Sequence, residues 1–211
     1  MLCHETAVGA AVVGLAIALA PGAIRTHAAE THPGTRPRGD VVASATTQAP
    51  RTAADFPNVI LQTQEGTRVR FYDDLIKGKV VLVNFMFTSC TSQCPLATAN
   101  LVKVEEALGE RLGRDVVMIS VTVDPATDTP DVLKRYSRRY ATKPGWYFVT
   151  GKQKDVDLIR RRLGVLDDAV EKSQHTGMLV YGNDTTGQWA ATPVMAQPKT
   201  IARSVMRLLP Q

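Results

Sequence analysis

Cysteine and histidine are scarce in this chain, which has three cysteines and four histidines among 211 residues. Cys3 lies at the extreme N-terminus, whereas Cys90 and Cys94 lie four positions apart, directly after the apolar run 80–86. Only one of the histidines, His175, falls within the part of the chain that the pattern predicts to fold. The scarcity leaves few candidate metal-binding or nucleophilic side chains and makes the pair at 90 and 94 the feature to explain.

Aromatic residues are also few, at 6% of the chain, and they do not interleave with the basic residues. The net charge of +5 is mild, and lysines and arginines are scattered on predicted helices, for example at 134–139 and 160–162. Nucleic-acid binding favours basic and aromatic side chains together on one surface. The pattern therefore indicates solvated helix faces and no nucleic-acid partner.

The first five residues, MLCHE, lack the lysine or arginine that usually opens an export signal. The stretch that follows, Ala7 to Ala20, is apolar and uncharged, and small residues surround Ala28 as at a cleavage site. We interpret residues 1–28 as a signal peptide or membrane anchor, with cleavage left open. The protein is then exported, either to the periplasm or to the outer face of the inner membrane, and it meets the membrane only through this segment.

Residues 29–52 are rich in proline, threonine, alanine and glycine and show no periodic apolar pattern. This composition predicts a disordered tether. The rest, 53–211, is long enough for one domain and has the apolar content of a globular protein.

Within 53–211, predicted strands alternate with predicted helices, which indicates an α/β sandwich with helices on both faces of a mixed sheet. A hairpin opens the domain and an antiparallel strand pair precedes the last helix. The cysteines then lie at the carboxyl end of a central strand, where α/β sheets place their sites. The predicted strands are 59–63, 67–71, 79–87, 116–123, 146–149, 177–181 and 188–191, and the predicted helices are 95–108, 130–140, 152–163 and 198–209.

Three interpretations of Cys90 and Cys94 compete: a structural disulfide, a redox dithiol, or two ligands of a soft metal. A disulfide here closes a very short loop, and short loops gain the least from cross-linking. A helix that begins within this stretch would bring both thiols to one face, and its N-terminus would favour the thiolate. Thiolate is the form that attacks disulfides and the form that binds metal.

Three segments together resemble the SCO/SenC family of copper chaperones: Phe87 to Pro95, Ser120 to Pro130, and the late His175. The first contains Cys-x-x-x-Cys-Pro and the second reads SVTVDPATDTP. The resemblance extends from about residue 56 to residue 209. It implies a thioredoxin-like fold, and it implies a role in assembling the copper centre of cytochrome c oxidase. This chain departs from the family's usual residues at Thr91, Gln93 and Gln174.

The resemblance implies a copper site formed by Cys90, Cys94 and His175. Two soft thiolates suit Cu(I), and an imidazole also suits Cu(II). The implied partners are a copper-receiving oxidase subunit or another copper chaperone, together with a protein that keeps the thiols reduced. Asp124 and Asp128 are candidates for contacting the site or a partner, with turn formation and helix capping as the alternative.

The leading interpretation is a copper chaperone, which needs no enzymatic reaction. The alternative is a thiol–disulfide oxidoreductase that reduces cysteines of a partner, with Cys90 and Cys94 as its redox disulfide; such a protein does not need His175. A peroxidase-like enzyme is suggested by Thr88-x-Cys90, but the proline usual before that threonine is missing. Further soft donors are available in Met86, Met178 and Met195, of which the first two lie in predicted strands and are explained by core packing.

The N-terminal segment generates a first prediction. A fusion of residues 1–40 to a reporter that is active only outside the cytoplasm is expected to be active, because the apolar run 7–20 directs export. The same reporter without the fused segment is the control. A fusion that stays inactive in the cytoplasm would reject the export signal.

Overall fold

A mixed β-sheet of eight strands runs through the part of the chain that the structure describes. This computed structural model describes residues 46–47, 49, 51–165 and 177–210, all of them within one unit, Asp40–Gln211. The strands are β1 (Thr46–Thr47), β2 (Ile60–Thr63), β3 (Arg68–Arg70), β4 (Val80–Met86), β5 (Val116–Thr122), β6 (Trp146–Thr150), β7 (Met178–Asn183) and β8 (Gln188–Pro193).

The strand order is β1-β8-β7-β4-β5-β6-β2-β3. The three central strands β4, β5 and β6 are parallel, and every other pairing is antiparallel. The predicted mixed sheet, the opening hairpin (β2–β3) and the late antiparallel pair (β7–β8) are confirmed. Because β4 pairs with β5 on one side and with β7 on the other, the strand that precedes the cysteines lies inside the sheet.

The described residues contain four α-helices, close to the predicted positions; three lie between strands and the fourth follows the last strand. They are α1 (Gln93–Leu108), α2 (Pro130–Arg139), α3 (Gln153–Arg162) and α4 (Pro198–Met206). The start of α2 follows its local signals, because Thr129 Oγ1 accepts a hydrogen bond from the Val132 N–H at 3.4 Å and Pro130 occupies the first turn.

Two apolar cores cover the two faces of the sheet. Along β4, Leu82 and Met86 belong to one core, together with Leu101 of α1. The intervening residue Val83 belongs to the other core, together with Ile159 of α3. Alternate side chains of a strand point to opposite faces, so a strand that is apolar throughout is buried on both sides. The prediction of a sheet covered by helices on both faces is confirmed.

The folded chain begins earlier than the predicted start near Ala53. Within the predicted tether, Thr46–Thr47 form β1, which pairs with Ala190–Ala191 of β8 at the sheet edge. Arg51 is also bound: its N–H donates to Gly187 O at 3.0 Å and its guanidinium donates to the carbonyls of Arg162 and Leu163 at the end of α3. These contacts use backbone groups and one long side chain, so they leave no apolar periodicity in the sequence.

A second difference concerns the end of the hairpin. The predicted strand 67–71 ends at Arg70, and Phe71–Ile76 form a short π-helical segment. Its buried residues Phe71, Leu75 and Ile76 do not follow the two-residue period of a strand. The segment covers part of one core before β4 begins.

The predicted signal or anchor, 1–28, lies outside the described residues. Among the helices that the structure does describe, none combines the length and the apolar character needed to cross a bilayer.

Candidate metal centre

The two cysteines lie at the carboxyl end of the central strand β4, as predicted. The strand ends at Met86, a turn follows, and α1 begins at Gln93 after Ser92. Cys94 is therefore the second residue of the helix, whereas Cys90 lies in the turn before it. The expectation that both thiols share one helical face is wrong, because the helix starts too late to include Cys90.

A hydrogen bond at the helix N-terminus links the two cysteines. The Cys94 N–H, which has no partner within the helix, donates to Cys90 Sγ at 3.4 Å. Ser92 lies at the capping position, but its side chain makes no capping hydrogen bond; its Oγ lies 3.8 Å from Cys90 Sγ. The sulfur of Cys90 thus takes the role that a side-chain oxygen usually has at this position. Both thiols are free in the structure.

The two thiols differ strongly in acidity. Burial acts to raise the pKa of Cys90, but the hydrogen bonds from Cys94 and Ser92 together outweigh it and lower this pKa to about 7. For Cys94, burial raises the pKa to about 12, and the neighbouring Cys90 and Asp128 add to the increase. Cys90 is partly exposed, whereas Cys94 is only 8% exposed. The reduced pair therefore has one thiolate available at neutral pH and one protonated, buried partner.

Asp128 is hydrogen-bonded to Thr88, in the turn that carries Cys90. Its carboxylate is fully buried and accepts hydrogen bonds from the Thr88 N–H at 3.1 Å, from the Thr88 hydroxyl and from the Thr122 hydroxyl. Thr88 follows the end of β4 and Thr122 ends β5, so one carboxylate joins the ends of the two strands. The residue that caps α2 is Thr129, so Asp128 is not the cap of that helix. The role of Asp128 as a support of the site stays a prediction.

Asp124 contributes through its backbone to the turn between β5 and α2. Its carbonyl accepts the N–H groups of Thr127 at 3.1 Å and Asp128 at 2.9 Å, and its own N–H donates to Thr122 Oγ1 at 3.0 Å. This turn places the Asp128 carboxylate under the cysteine turn. A direct contact of Asp124 with the site or with a partner stays a prediction.

The sequence analysis missed Thr88 and Thr122 as parts of the site. A signal was present, because both threonines follow or end buried apolar strands, where a hydroxyl needs a hydrogen-bond partner. Only the register of the parallel strands, with Met86 opposite Thr122, shows that both hydroxyls meet the same carboxylate.

A cavity of about 370 Å³ opens beside the cysteine pair, and both thiols line it. Gly177 lines it as well and follows His175 by two positions in the sequence. His175 itself, the third predicted ligand, lies outside the described residues. In the ranges that the structure describes, no three histidine, cysteine or acidic side chains come together as a metal site, so two thiols form the described part of the donor set.

The acidity of Cys90 generates a second prediction. In a Cys3→Ser, Cys94→Ser chain, which keeps the backbone donor at position 94, we expect alkylation of Cys90 by iodoacetamide to follow the thiolate. The pKa is lowered, so the rate should be level above pH 7 and fall by about tenfold for each pH unit below it. A rate that keeps rising up to pH 9 would contradict the hydrogen-bonded thiolate.

The Asp128 network generates a third prediction. Asp128→Asn replaces one accepting oxygen by a donor, so one of the donors from Thr88 or Thr122 loses its partner inside the protein. We expect the free energy of unfolding of the reduced protein to fall by about 1–3 kcal/mol, measured by urea denaturation. The matched control is Asp131→Asn on the exposed first turn of α2, where a loss below about 1 kcal/mol is expected. Equal losses in both variants would show that the buried carboxylate has no special role in stability.

Comparison with known proteins identifies the family. The family model described as SCO1/SenC matches residues 44–209. A SCO1 protein homolog of Bacillus subtilis is 37% identical over 92 residues, which cover 43% of this chain and 46% of that protein. The aligned segment thus spans less than half the length of this curated relative.

Solved structures have the same fold. A SCO1/SenC family lipoprotein from Bacillus anthracis aligns with a TM-score of 0.62 at 28% identity, over 73% of this chain and 94% of that one. ScoI of Bradyrhizobium japonicum, solved with copper bound, aligns with a TM-score of 0.59 at 24% identity, over 71% of this chain and 96% of that one. The thioredoxin-like fold that the resemblance implied is confirmed. The motif segments, the sheet topology and the match over residues 44–209 lead to one conclusion: this chain belongs to the SCO1/SenC family.

Proposed function

We propose that this protein is a copper chaperone that delivers copper to cytochrome c oxidase, acting on an oxidase subunit or through another copper chaperone. The observation that carries the proposal is the pair Cys90 and Cys94 at the carboxyl end of β4, with one low-pKa thiol at a cavity. Family membership supports it, since a ScoI protein of the same fold has been solved with copper bound.

The donor set fits copper as the cargo. Two cysteine sulfurs are the soft ligands that select Cu(I), and an imidazole accepts either oxidation state. We propose Cys90, Cys94 and His175 as the ligands. Gly177 lines the same cavity as both cysteines and lies two positions after His175, which supports the assignment.

A disulfide between Cys90 and Cys94 would remove both thiolates from the ligand set. Copper binding on this proposal requires the reduced pair, because metal ligation needs deprotonated thiols. A partner protein that reduces the pair is therefore part of the proposal. The location that follows is outside the cytoplasm, held near the membrane by the N-terminal segment; the Bacillus anthracis relative, a lipoprotein, supports this.

The difference in acidity between the two thiols favours a second candidate function, thiol–disulfide exchange with a partner. A partly exposed thiol with a pKa of about 7 can attack a partner disulfide, and a buried neighbour can then resolve the mixed disulfide. In that reaction the partner disulfide is reduced to two thiols while Cys90 and Cys94 are oxidised to a disulfide. This chemistry makes no use of His175.

His175 separates the two candidates and generates a fourth prediction. In His175→Ala, we expect Cu(II) affinity to fall strongly and Cu(I) affinity to fall less, because two thiolates can hold Cu(I) alone. The rate of exchange with a small disulfide should change little, since it depends on the thiolate of Cys90. Both quantities are measured on the same reduced protein.

The matched control is His32→Ala, in the predicted tether, which should leave both quantities unchanged. Cys94→Ser should lose copper in both oxidation states. Unchanged copper binding in His175→Ala together with a large loss of exchange would reject the chaperone and favour the oxidoreductase.

A further inference from the structure

Five sulfur-containing residues line the cavity beside the β4–α1 turn. Besides the thiols of Cys90 and Cys94, three methionines line it: Met86, Met178 and Met195. The whole chain has six methionines, so half of them face one cavity of about 370 Å³. Core packing alone does not require this concentration, because any apolar side chain of similar volume can fill a core position.

The three methionines differ in burial and in whether they pack in a core. Met86 is 1% exposed and belongs to the core on one face of the sheet. Met178 is half-buried and packs against the core on the other face. Met195 is 56% exposed, so it contributes little to either core. Packing therefore explains the first two methionines and leaves the third without a structural role.

The turn that carries Met195 is held firmly against the site. The Ala196 N–H donates to Pro193 O at 2.9 Å and closes the turn. Asn100 Nδ2 donates to Val194 O at 2.8 Å and to Ala196 O at 2.9 Å, on both sides of Met195. Asn100 belongs to α1, the helix that contains Cys94. The exposed methionine is thus tied to the same helix as the buried thiol.

A further bond ties the turn to the residue that precedes β7. The Val194 N–H donates to Gly177 O at 2.6 Å, and Gly177 lies at the same cavity. The residues on both sides of Met195 are thus fixed by hydrogen bonds. These bonds hold the Met195 backbone beside the cavity, although its side chain is largely exposed.

We propose that the Met195 thioether is a Cu(I) ligand at the mouth of this cavity, acting together with Cys90 and Cys94. The inference rests on the proposed copper function and adds a donor to it. A thioether is a neutral, soft ligand that favours Cu(I), whereas an imidazole also serves Cu(II). Ligation adds one Cu–S bond from a thioether lone pair, breaks no bond of the protein and leaves the copper as Cu(I), so no electron is transferred.

The first test is Met195→Leu, which keeps an apolar side chain of similar size on an exposed position. We expect Cu(I) affinity, measured by competition with a chromophoric Cu(I) chelator under anaerobic reducing conditions, to fall by about tenfold or more. Cu(II) affinity should not change. The matched control is Met206→Leu on α4, a partly buried methionine that does not line the cavity, and this variant should bind both ions like the parent chain.

The substitution also separates ligation from apolar docking. A surface that serves only to dock a partner would tolerate leucine, because leucine is as apolar as methionine. The loss of Cu(I) affinity is measured without any partner and so reports ligation. Thermal unfolding of each variant establishes that both still fold.

The second test observes the ligand directly. The chain is labelled with selenomethionine, loaded with Cu(I) and examined by X-ray absorption at the copper edge. A copper–selenium contact is expected in the parent chain and in Met206→Leu, and it should be absent in Met195→Leu. Absence of this contact in the parent chain, or equal Cu(I) affinities in the two leucine variants, would overturn the inference.

Failure of the inference is distinguishable from failure of the proposed function. If Cys94→Ser loses Cu(I) while Met195→Leu retains it, the copper site stands and Met195 is not a ligand. If Cys94→Ser retains Cu(I) with unchanged affinity, the cysteines are not the ligands, the copper proposal itself is rejected, and the role of Met195 beside them is rejected with it.

Discussion

The buried carboxylate of Asp128 is the contact that ties the ends of β4 and β5 together next to the cysteine turn. It accepts hydrogen bonds from Thr88 after β4 and from Thr122 at the end of β5. A buried polar group is costly unless it is hydrogen-bonded, and both oxygens of Asp128 accept hydrogen bonds. These bonds fix Thr88 relative to the end of β5, and Cys90 lies two residues after Thr88.

The helix N-terminus then makes the two thiols unequal. Cys90 lies outside α1 and accepts the free Cys94 N–H, which stabilises negative charge on its sulfur. Cys94 lies inside the first turn, buried and near the Asp128 charge, and stays protonated. If α1 began three residues earlier, at position 90, Cys90 would lie inside the helix and this difference between the two thiols would be lost. The same inequality suits both candidate functions, since it provides a nucleophile for exchange and an open first ligand for a metal.

The cavity brings these thiols together with residues at the start of β7 and the end of β8. Gly177 and the turn 193–196 are joined by the bond from Val194 to Gly177, and Asn100 joins that turn to α1. Elements far apart in the sequence therefore form one hydrogen-bonded rim beside the cysteines. Such a rim suits a protein that holds an ion, because segments that are already bonded to one another lose less freedom on binding.

Much of this protein could be predicted from the sequence. Alternating apolar runs predicted the buried strands, Thr129 and Pro130 predicted the start of α2, and the spacing of Cys90 and Cys94 after a central strand predicted the place of the site. These signals are local, because side-chain periodicity, capping and proline geometry act over a few residues. The motif segments sufficed to indicate the family for the same reason.

Other features were decided only by the tertiary structure. The short strand β1 and the binding of Arg51 to the end of α3 depend on backbone groups of distant segments. The turn that holds Cys90 outside the helix is bonded through Thr88 to Asp128, which is 38 residues away from Cys90 in the sequence. That Thr88 and Thr122 share one carboxylate follows from the register of two parallel strands. Such contacts carry no periodic pattern, because each joins single residues from separate elements, and only folding brings them together.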